Sequence, residues 1–481
     1  MEGEAVYRQA RAARLVAGFA VFLAAGLCRG ERDAPCAPAA PLEWRADDRV
    51  LVLAPHPGDE VLGGGGVLRS AIAAGVPVRV VFLTCGDHNQ WSLKLYRERL
   101  VAMPDAVSRE GVVRMEESRK AAQRLGLHAR DVIFLGYPDL GTLNIWCAHW
   151  AEQMPFRCML TRTRQVSCAD ARHPGAPYKG EFILEDLKEI FREFRPTRIL
   201  VSHPADHHPD HQALYLFSRV ALWTLSSDPA PELWPYLIHH PQWPPRTGPG
   251  RRRDLAPPPT LASPISWRSI AVGKKARRLK QKALEIHRTD YQRNAAYLDR
   301  FVRDNELFGD FPDLVLDKAM VALDPPTSGT SRREPPEGLN PAEKERFVGI
   351  ESRTVGLEKQ ELRLEVRLTR PLEREASASI CVLGFRADKP FEQMPKVHVN
   401  LTAFSHEVFD QSRAWPPGLV SVRRSGSDIS IRMPLELLGN PDRVFTGART
   451  CLHELPLDWA TWRVLFLNAP DDPSVAAASG E

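Results

Sequence analysis

The chain has 481 residues, 43% hydrophobic and 26% charged, with a formal net charge of +4. That length predicts two domains of ordinary globular composition. A charge so near neutral gives no basis for nucleic-acid binding. The one basic run, Arg251-Arg252-Arg253, sits in a Pro-rich loop without stacking aromatics and reads as solvated.

In chain order, Arg8, Arg11 and Arg14 precede an apolar run over residues 15–27. The run is shorter than the roughly 20 residues of a membrane span and suits the core of an export signal, with Ala24-Ala25-Gly26 offering small residues for cleavage. Residues 1–30 are therefore expected to be a signal peptide or N-terminal anchor. Cys28 leaves a lipid anchor open, although Leu27 before it is bulky for a lipoprotein signal. The mature chain is expected outside the cytoplasm (periplasmic, secreted or anchored), with any membrane attachment running through the N-terminus alone. Residues 31–46 are a Pro/Ala-rich leader.

From 48 to 240 strand and helix patterns alternate. Strands are expected at 49–54, 78–83, 132–135, 198–202 and 234–239. Helices are expected opening at Glu60, over about 112–125 and 183–194, and from Gln212 onward. Repeated strand–helix units predict a Rossmann-like α/β fold, an open parallel sheet with helices on both faces. A Pro-rich loop follows at 243–265, then one long helical segment over 272–305, closing a domain at 47–323. Residues 324–342 read as a linker. Beyond it, Leu362-Arg363-Leu364-Glu365-Val366-Arg367-Leu368 alternates as a half-buried strand does, and 379–385 and 429–433 also read as strands. Residues 343–481 are expected to form a smaller, all-β, sandwich-like domain. Either a carbohydrate-binding or a purely structural role is open for it. Trp415, Trp459 and Trp462 form either a stacking surface or core.

Two histidine clusters carry the chemistry. His56-Pro57-Gly58-Asp59-Glu60 follows the first strand, and His208-Pro209-Asp210-His211 follows the strand at 198–202. Loops at the carboxyl ends of neighbouring parallel strands are where open α/β sheets bind ligands. Two imidazoles and a carboxylate suffice to hold a catalytic zinc, leaving a fourth position to water. His56 and Asp59 are three apart on a tight turn, so one ion reaches both. Of His208 and His211 only one need bind it, the other facing the substrate. The run Gly63-Gly64-Gly65-Gly66 has the wrong spacing for a dinucleotide fingerprint and more simply lets a helix approach the sheet closely. Of eight cysteines none forms Cys-x-x-Cys. A bridge among Cys147, Cys158 and Cys168 is open in an oxidising compartment, and Cys85 reads as a small buried side chain.

These clusters resemble those of the LmbE-like de-N-acetylases, the PIG-L family. Leu83-Thr84-Cys85-Gly86-Asp87, Arg114-Met115-Glu116-Glu117 with Ala121-Ala122-Gln123-Arg124-Leu125-Gly126, and Phe134-Leu135-Gly136-Tyr137-Pro138-Asp139 extend the resemblance over about 48–310. It implies a zinc hydrolase that removes acetyl groups from N-acetylglucosamine-containing or related conjugates. It also implies one Zn2+ per chain, with another divalent metal open, held by His56, Asp59 and His211. His208 would stabilise the oxyanion or protonate the leaving amine, with Asp210 orienting it, while Arg114 and Asp87 would face the substrate. Outside the resemblance, Arg114 reads as a helix-surface partner of Glu117, and Asp87 as a helix cap.

Gly58 departs from the pattern, which has there the aspartate serving as general base. Zinc-lowered acidity of a water, or a carboxylate borrowed from Glu60, Asp87 or Asp206, must then suffice. Gly58→Asp is expected to speed the reaction about 10-fold or more, provided that its backbone conformation admits a side chain. The rival is a catalytically weak, metal-containing protein that binds acetylated sugar conjugates.

Overall fold

The computed structural model describes residues 39–87, 104–226, 228–246, 254–262, 265–316, 319–324, 335, 339–453 and 455–467. The N-terminal apolar run, the arginines at 251–253 and most of the 324–342 segment lie outside the described residues.

The α/β part is built from β1 (Val50–Ala54), α1 (Asp59–Ala73), β2 (Val78–Thr84), α2 (Pro104–Leu125), β3 (Val132–Tyr137), α3 (Thr142–Ala148), α4 (Gly180–Phe194), β4 (Arg198–Ser202), α5 (Pro209–Leu225) and β5 (Glu232–Tyr236). Its five strands run parallel in the order β3-β2-β1-β4-β5. β1 is buried throughout because both its faces are covered. Leu51 and Leu53 join the core under α3, α4 and α5, while Val50, Val52 and Ala54 join the core under α1 and α2. Helices thus flank both faces of the sheet. The chain leaves β1 toward β2 and β3 and returns on the other side as β4, so the strand order reverses between β1 and β4. The carboxyl ends at that switch point carry both histidine clusters.

The glycine run lies in α1, where a Cβ at Gly63 would strike the Tyr236 ring and one at Gly64 the Leu200 side chain. Their bareness lets the helix lie close to the sheet. α1 is also tied down at its middle, since Gly66 N and Val67 N donate to Glu306 at 2.7 and 2.9 Å. Lys280 neutralises that buried carboxylate from 2.7 Å.

The single helix expected over 272–305 is not found. α6 (Lys274–Leu284) and α7 (Arg288–Leu298) are separated at Ile286–His287, and Asn305 opens β7 (Asn305–Asp310), which pairs antiparallel with β6 (Ser266–Ala271). The break has a cause in packing. The backbone leaves the helix at His287 (φ −73°, ψ 65°), whose buried ring faces Glu60. Glu117 then accepts the Thr289 N–H and hydroxyl, at 3.2 and 2.7 Å, and so caps α7. β5 also ends sooner than 239, because Ile238 N and His239 N turn to donate to Asp206.

The C-terminal part is β-rich. β8 (Leu314–Val315), β9 (Val321–Ala322), β10 (Ile350–Glu358), β11 (Glu361–Leu368), β12 (Ala376–Phe385), β13 (Lys396–Thr402), β14 (His406–Asp410), β15 (Arg413–Ala414), β16 (Ser421–Ser425), β17 (Asp428–Pro434), β18 (Arg443–Leu452) and β19 (Leu455–Phe466) form two sheets, with the short helix α8 (Pro341–Glu345) between β9 and β10 in the chain. Their orders are β16-β17-β11-β10-β9 and β15-β14-β13-β12-β18-β19-β8, antiparallel apart from β8 against β19. Leu364, Val366 and Ile431 of the first share one core with Val382, Val399 and Leu465 of the second. The strict alternation of β11 is what buries Leu362, Leu364, Val366 and Leu368 there. Residues of opposite parity on the second sheet, Leu383, Phe385, Phe445 and Trp462, join the α/β core instead.

Candidate functional site

The turn from β1 into α1 brings His56 and Asp59 together, and the N-terminus of α5 presents His211. His56 Nδ1 and His211 Nε2 each stand 3.1 Å from Asp59 Oδ2. All three residues are less than 10% exposed. Each imidazole is backed by a carboxylate on its other nitrogen: Asp210 Oδ2 lies 3.2 Å from His56 Nε2, and Asp206 Oδ2 lies 3.1 Å from His211 Nδ1. That arrangement fixes ring orientation and turns the second nitrogen of each ring toward Asp59 Oδ2, where a bound cation would replace the proton, as histidine metal ligands require.

The residues fit a cation on a second ground. His211 Nε2 is buried and makes no well-directed hydrogen bond, although Asp59 Oδ2 stands 3.1 Å away, a costly state for a polar atom. Burial opposes a charge on His56, yet hydrogen bonds to Asp210 and Asp59 raise its pKa to about 10. Burial likewise opposes charge on His211, and Asp206 and Asp59 raise it to about 9. Four buried carboxylates (Asp59, Asp139, Asp206 and Asp210) thus make this pocket attractive to positive charge.

His208 caps α5, its Nδ1 accepting the Asp210 backbone N–H at 3.2 Å. The ring proton therefore sits on Nε2. The ring lies edge-on to His56, with centroids 4.5 Å apart, and burial together with His56, His211 and His239 holds it well below its usual pKa. A neutral donor results. The expected partnership with Asp210 needs correction, since that carboxylate stands 3.8 Å from His208 and serves His56. Leu140 N, Thr142 N and the Thr142 hydroxyl, at 2.6, 3.1 and 2.5 Å, hold it in place.

Arg114 is buried in α2. It donates to the carbonyls of Gly86 and Pro57 at 2.9 and 3.1 Å, bracing the loops after β1 and β2, with Asp290 at 3.7 Å. It makes no surface pair with Glu117. Asp87 packs against Gly111 and is pushed well above the carboxylate range by burial and Asp139.

The carboxylates named as substitute bases have other duties. Glu60 accepts Gly58 N at 2.7 Å. Asp206 accepts His208 N, Ile238 N and His239 N. Gly58 itself has φ +105°, a conformation that side chains of L-residues rarely adopt. A Cβ there would come within 3.9 Å of His287 Nδ1. The opposite nitrogen of that ring stands 3.3 Å from Glu60 Oε1. The condition on the expected gain from Gly58→Asp is therefore not met.

His239 and His287 were not among the expected site residues. His239 lies beyond β5, 4.6 Å from His211 between ring centroids. Its place after a parallel strand was a usable signal. His287 carried none, because it sits inside a helical pattern.

Fold and site define an α/β protein with an acidic, histidine-rich cluster at its switch point. Residues 51–222 match the family model of GlcNAc-PI de-N-acetylases, and this stretch is a PIG-L/LmbE-like domain. A 1D-myo-inositol 2-acetamido-2-deoxy-alpha-D-glucopyranoside deacetylase of Saccharopolyspora erythraea is 30% identical over 34% of this chain and 50% of its own length. A probable N-acetyl-alpha-D-glucosaminyl L-malate deacetylase of Bacillus cereus is 26% identical over 38% of this chain and 63% of its own. The match therefore spans less than two thirds of either relative. The N,N'-diacetylchitobiose deacetylase of Pyrococcus horikoshii overlaps 54% of this chain and 82% of its own, at 18% identity and a TM-score of 0.32.

Proposed function

We propose that this chain is a divalent-metal-dependent de-N-acetylase acting on an N-acetylglucosamine-containing or related conjugate. The observation that carries the proposal is the convergence of His56 Nδ1 and His211 Nε2 on Asp59 Oδ2, each at 3.1 Å, each ring backed by a carboxylate. The family match and the two deacetylase relatives support the substrate class. His56, Asp59 and His211 are the assigned ligands. A divalent cation held there, with Zn2+ first among the candidates, would supply Lewis acidity toward the acetyl carbonyl and water.

Hydrolysis adds the water oxygen to the acetyl carbon and breaks the C–N bond, giving acetate and a free amine. His208 Nε2–H is assigned to the developing oxyanion, a use that suits a neutral imidazole. The water's proton must be taken up and passed to the amine. With no side chain at 58, that task is assigned to His287 Nδ1, the Nε2 side of the ring being turned toward Glu60. Glu60 Oε1, 3.3 Å from Nε2, is the carboxylate assigned to favour a proton on that nitrogen. Arg114 acts by holding the two loops, and Asp87 is assigned to substrate contact. The protein is proposed to work outside the cytoplasm, where its N-terminal run would take it.

Incubating the metal-loaded protein with N-acetylglucosamine conjugates and measuring acetate and free amine tests the proposal. Release of neither, with metal bound, favours the sugar-binding alternative that the bare Gly58 keeps open.

A further inference from the structure

Cys381 on β12 and His398 on β13 are directly opposed in the antiparallel register, which puts their side chains on one face of the sheet about 5 Å apart at Cβ. α3 of the α/β part packs on that face and brings Cys147 to them. The two sulfurs and one imidazole nitrogen lie within 4.8 Å of one another. His398 Nε2 is 2.9 Å from the Cys147 carbonyl oxygen. A carbonyl only accepts, so the ring proton is on Nε2 and Nδ1 bears a lone pair. Nδ1 faces Cys381 Sγ at 3.8 Å. Histidine metal ligands are characteristically anchored through the other N–H in this manner. Cys381 is buried, whereas Cys147 and His398 are half-buried, so an ion has a way in.

We propose that Cys147, Cys381 and His398 form a second metal site, for a thiophilic closed-shell cation, Zn2+ or Cu+, that clasps the α/β part to the C-terminal sandwich. Thiolate and imidazole ligands favour these two ions over hard cations. Binding releases the thiol protons to solvent, and no electron changes hands. Two thiolates balance Zn2+. With Cu+ they leave one negative charge, which the nearby Arg449 guanidinium offsets. Three ligands suit trigonal Cu+ as they stand, while Zn2+ takes a water as the fourth.

The test uses the full chain, kept reduced with a phosphine, stripped of metal and reloaded with Zn2+ in one arm and Cu+ in the other. Metal is counted after desalting in the wild type, Cys381→Ser, His398→Gln and a His56→Ala/His211→Ala chain that lacks the first cluster. The last is expected to retain one ion in at least one arm, and that arm identifies the metal. Cys381→Ser is expected to hold one ion fewer than the wild type in that arm. His398→Gln should bind at least about 100-fold more weakly there, a larger loss than outer-shell changes cause. Loading should raise the Tm of the wild type more than that of Cys381→Ser. The site is overturned if the His56→Ala/His211→Ala chain folds and holds no ion in either arm, or if Cys381→Ser and His398→Gln both bind as the wild type does. A Cys147–Cys381 disulfide in the protein as isolated, seen as a mass lower by two hydrogens, overturns it equally.

Discussion

At residue scale the site depends on which nitrogen of each imidazole is free. Asp210 and Asp206 decide this for His56 and His211. Replacing Asp210 by Asn should therefore weaken metal affinity by about 10- to 100-fold with the ligands intact, read by competition with a chelator. His56→Ala and His211→Ala should each lose the ion at this cluster, and full occupancy there in both would remove the ligand assignment. His287→Ala should lower kcat by about 100-fold or more with KM and metal content little changed, because proton transfer is needed in the transition state and not for binding. A fall in metal content or Tm with kcat preserved would instead mark His287 as a brace for the turn. Gly58→Asp is now expected to cost about 1–3 kcal/mol of stability through its positive φ and to bring no gain in rate, which a thermal melt beside an acetate assay checks.

At the scale of elements, the sequence was most readable where one strand must be buried on both faces. The apolar runs of β1 and β4 admit no other placement, and the clusters that follow them meet because parallel strands end together. The break between α6 and α7 was hidden, since 274–298 carries no Pro or Gly and the contacts that interrupt it, His287 with Glu60 and Thr289 with Glu117, come from distant parts of the chain. The duty of Asp210 was hidden for the same reason, its partners Leu140 and Thr142 lying about 70 positions away. A comparable long-range packing joins β4 to the β6–β7 pair. His203, just after β4, stacks on Trp267 of β6 (centroids 5.6 Å apart) and accepts Ala205 N at 3.0 Å through Nδ1. Burial depresses its pKa from 6.5 to about 3. The unfolded chain then takes up this proton first as pH falls. The stability from a neutral His203 is complete above pH 6.5 and is lost between there and pH 3, at up to about 1.4 kcal/mol per pH unit. His203→Asn keeps an acceptor near the Nδ1 position but cannot titrate. Its denaturant midpoint should change less between pH 6.5 and 4 than that of the wild type, and identical slopes would exclude His203 as the source.

For the whole molecule, the sandwich shares a core with the α/β part. Trp146 of α3 lies 5.2 Å from Phe391, 5.1 Å from Phe445 and 6.3 Å from Trp462 between ring centroids, and is fully buried. Lys396 adds its ammonium over the Phe391 and Trp150 rings at 4.2 and 4.9 Å while donating to the Phe391 and Met394 carbonyls. Trp462, which the sequence left open between a sugar platform and core, is core, and Trp415 packs partly buried against the sandwich interior. α3 belongs to this joint and also to the site, because Thr142 at its start fixes Asp210, which orients His56. Packing damage at the joint should therefore reach the metal cluster. Trp146→Ala should cost about 3–5 kcal/mol, the usual result of truncating a large buried aromatic. It should also weaken metal binding at His56, Asp59 and His211, although Trp146 is not assigned as a ligand. Trp223, which packs at a tilt against Phe385 and Phe445 from α5 (5.1 and 5.4 Å between centroids), supplies the control. It lies near the far end of α5 from His211, so Trp223→Ala should lower Tm while leaving metal affinity near that of the wild type. Equal loss of affinity in both variants would mean that general destabilisation, rather than the path through Thr142 and Asp210, links the sandwich to the site.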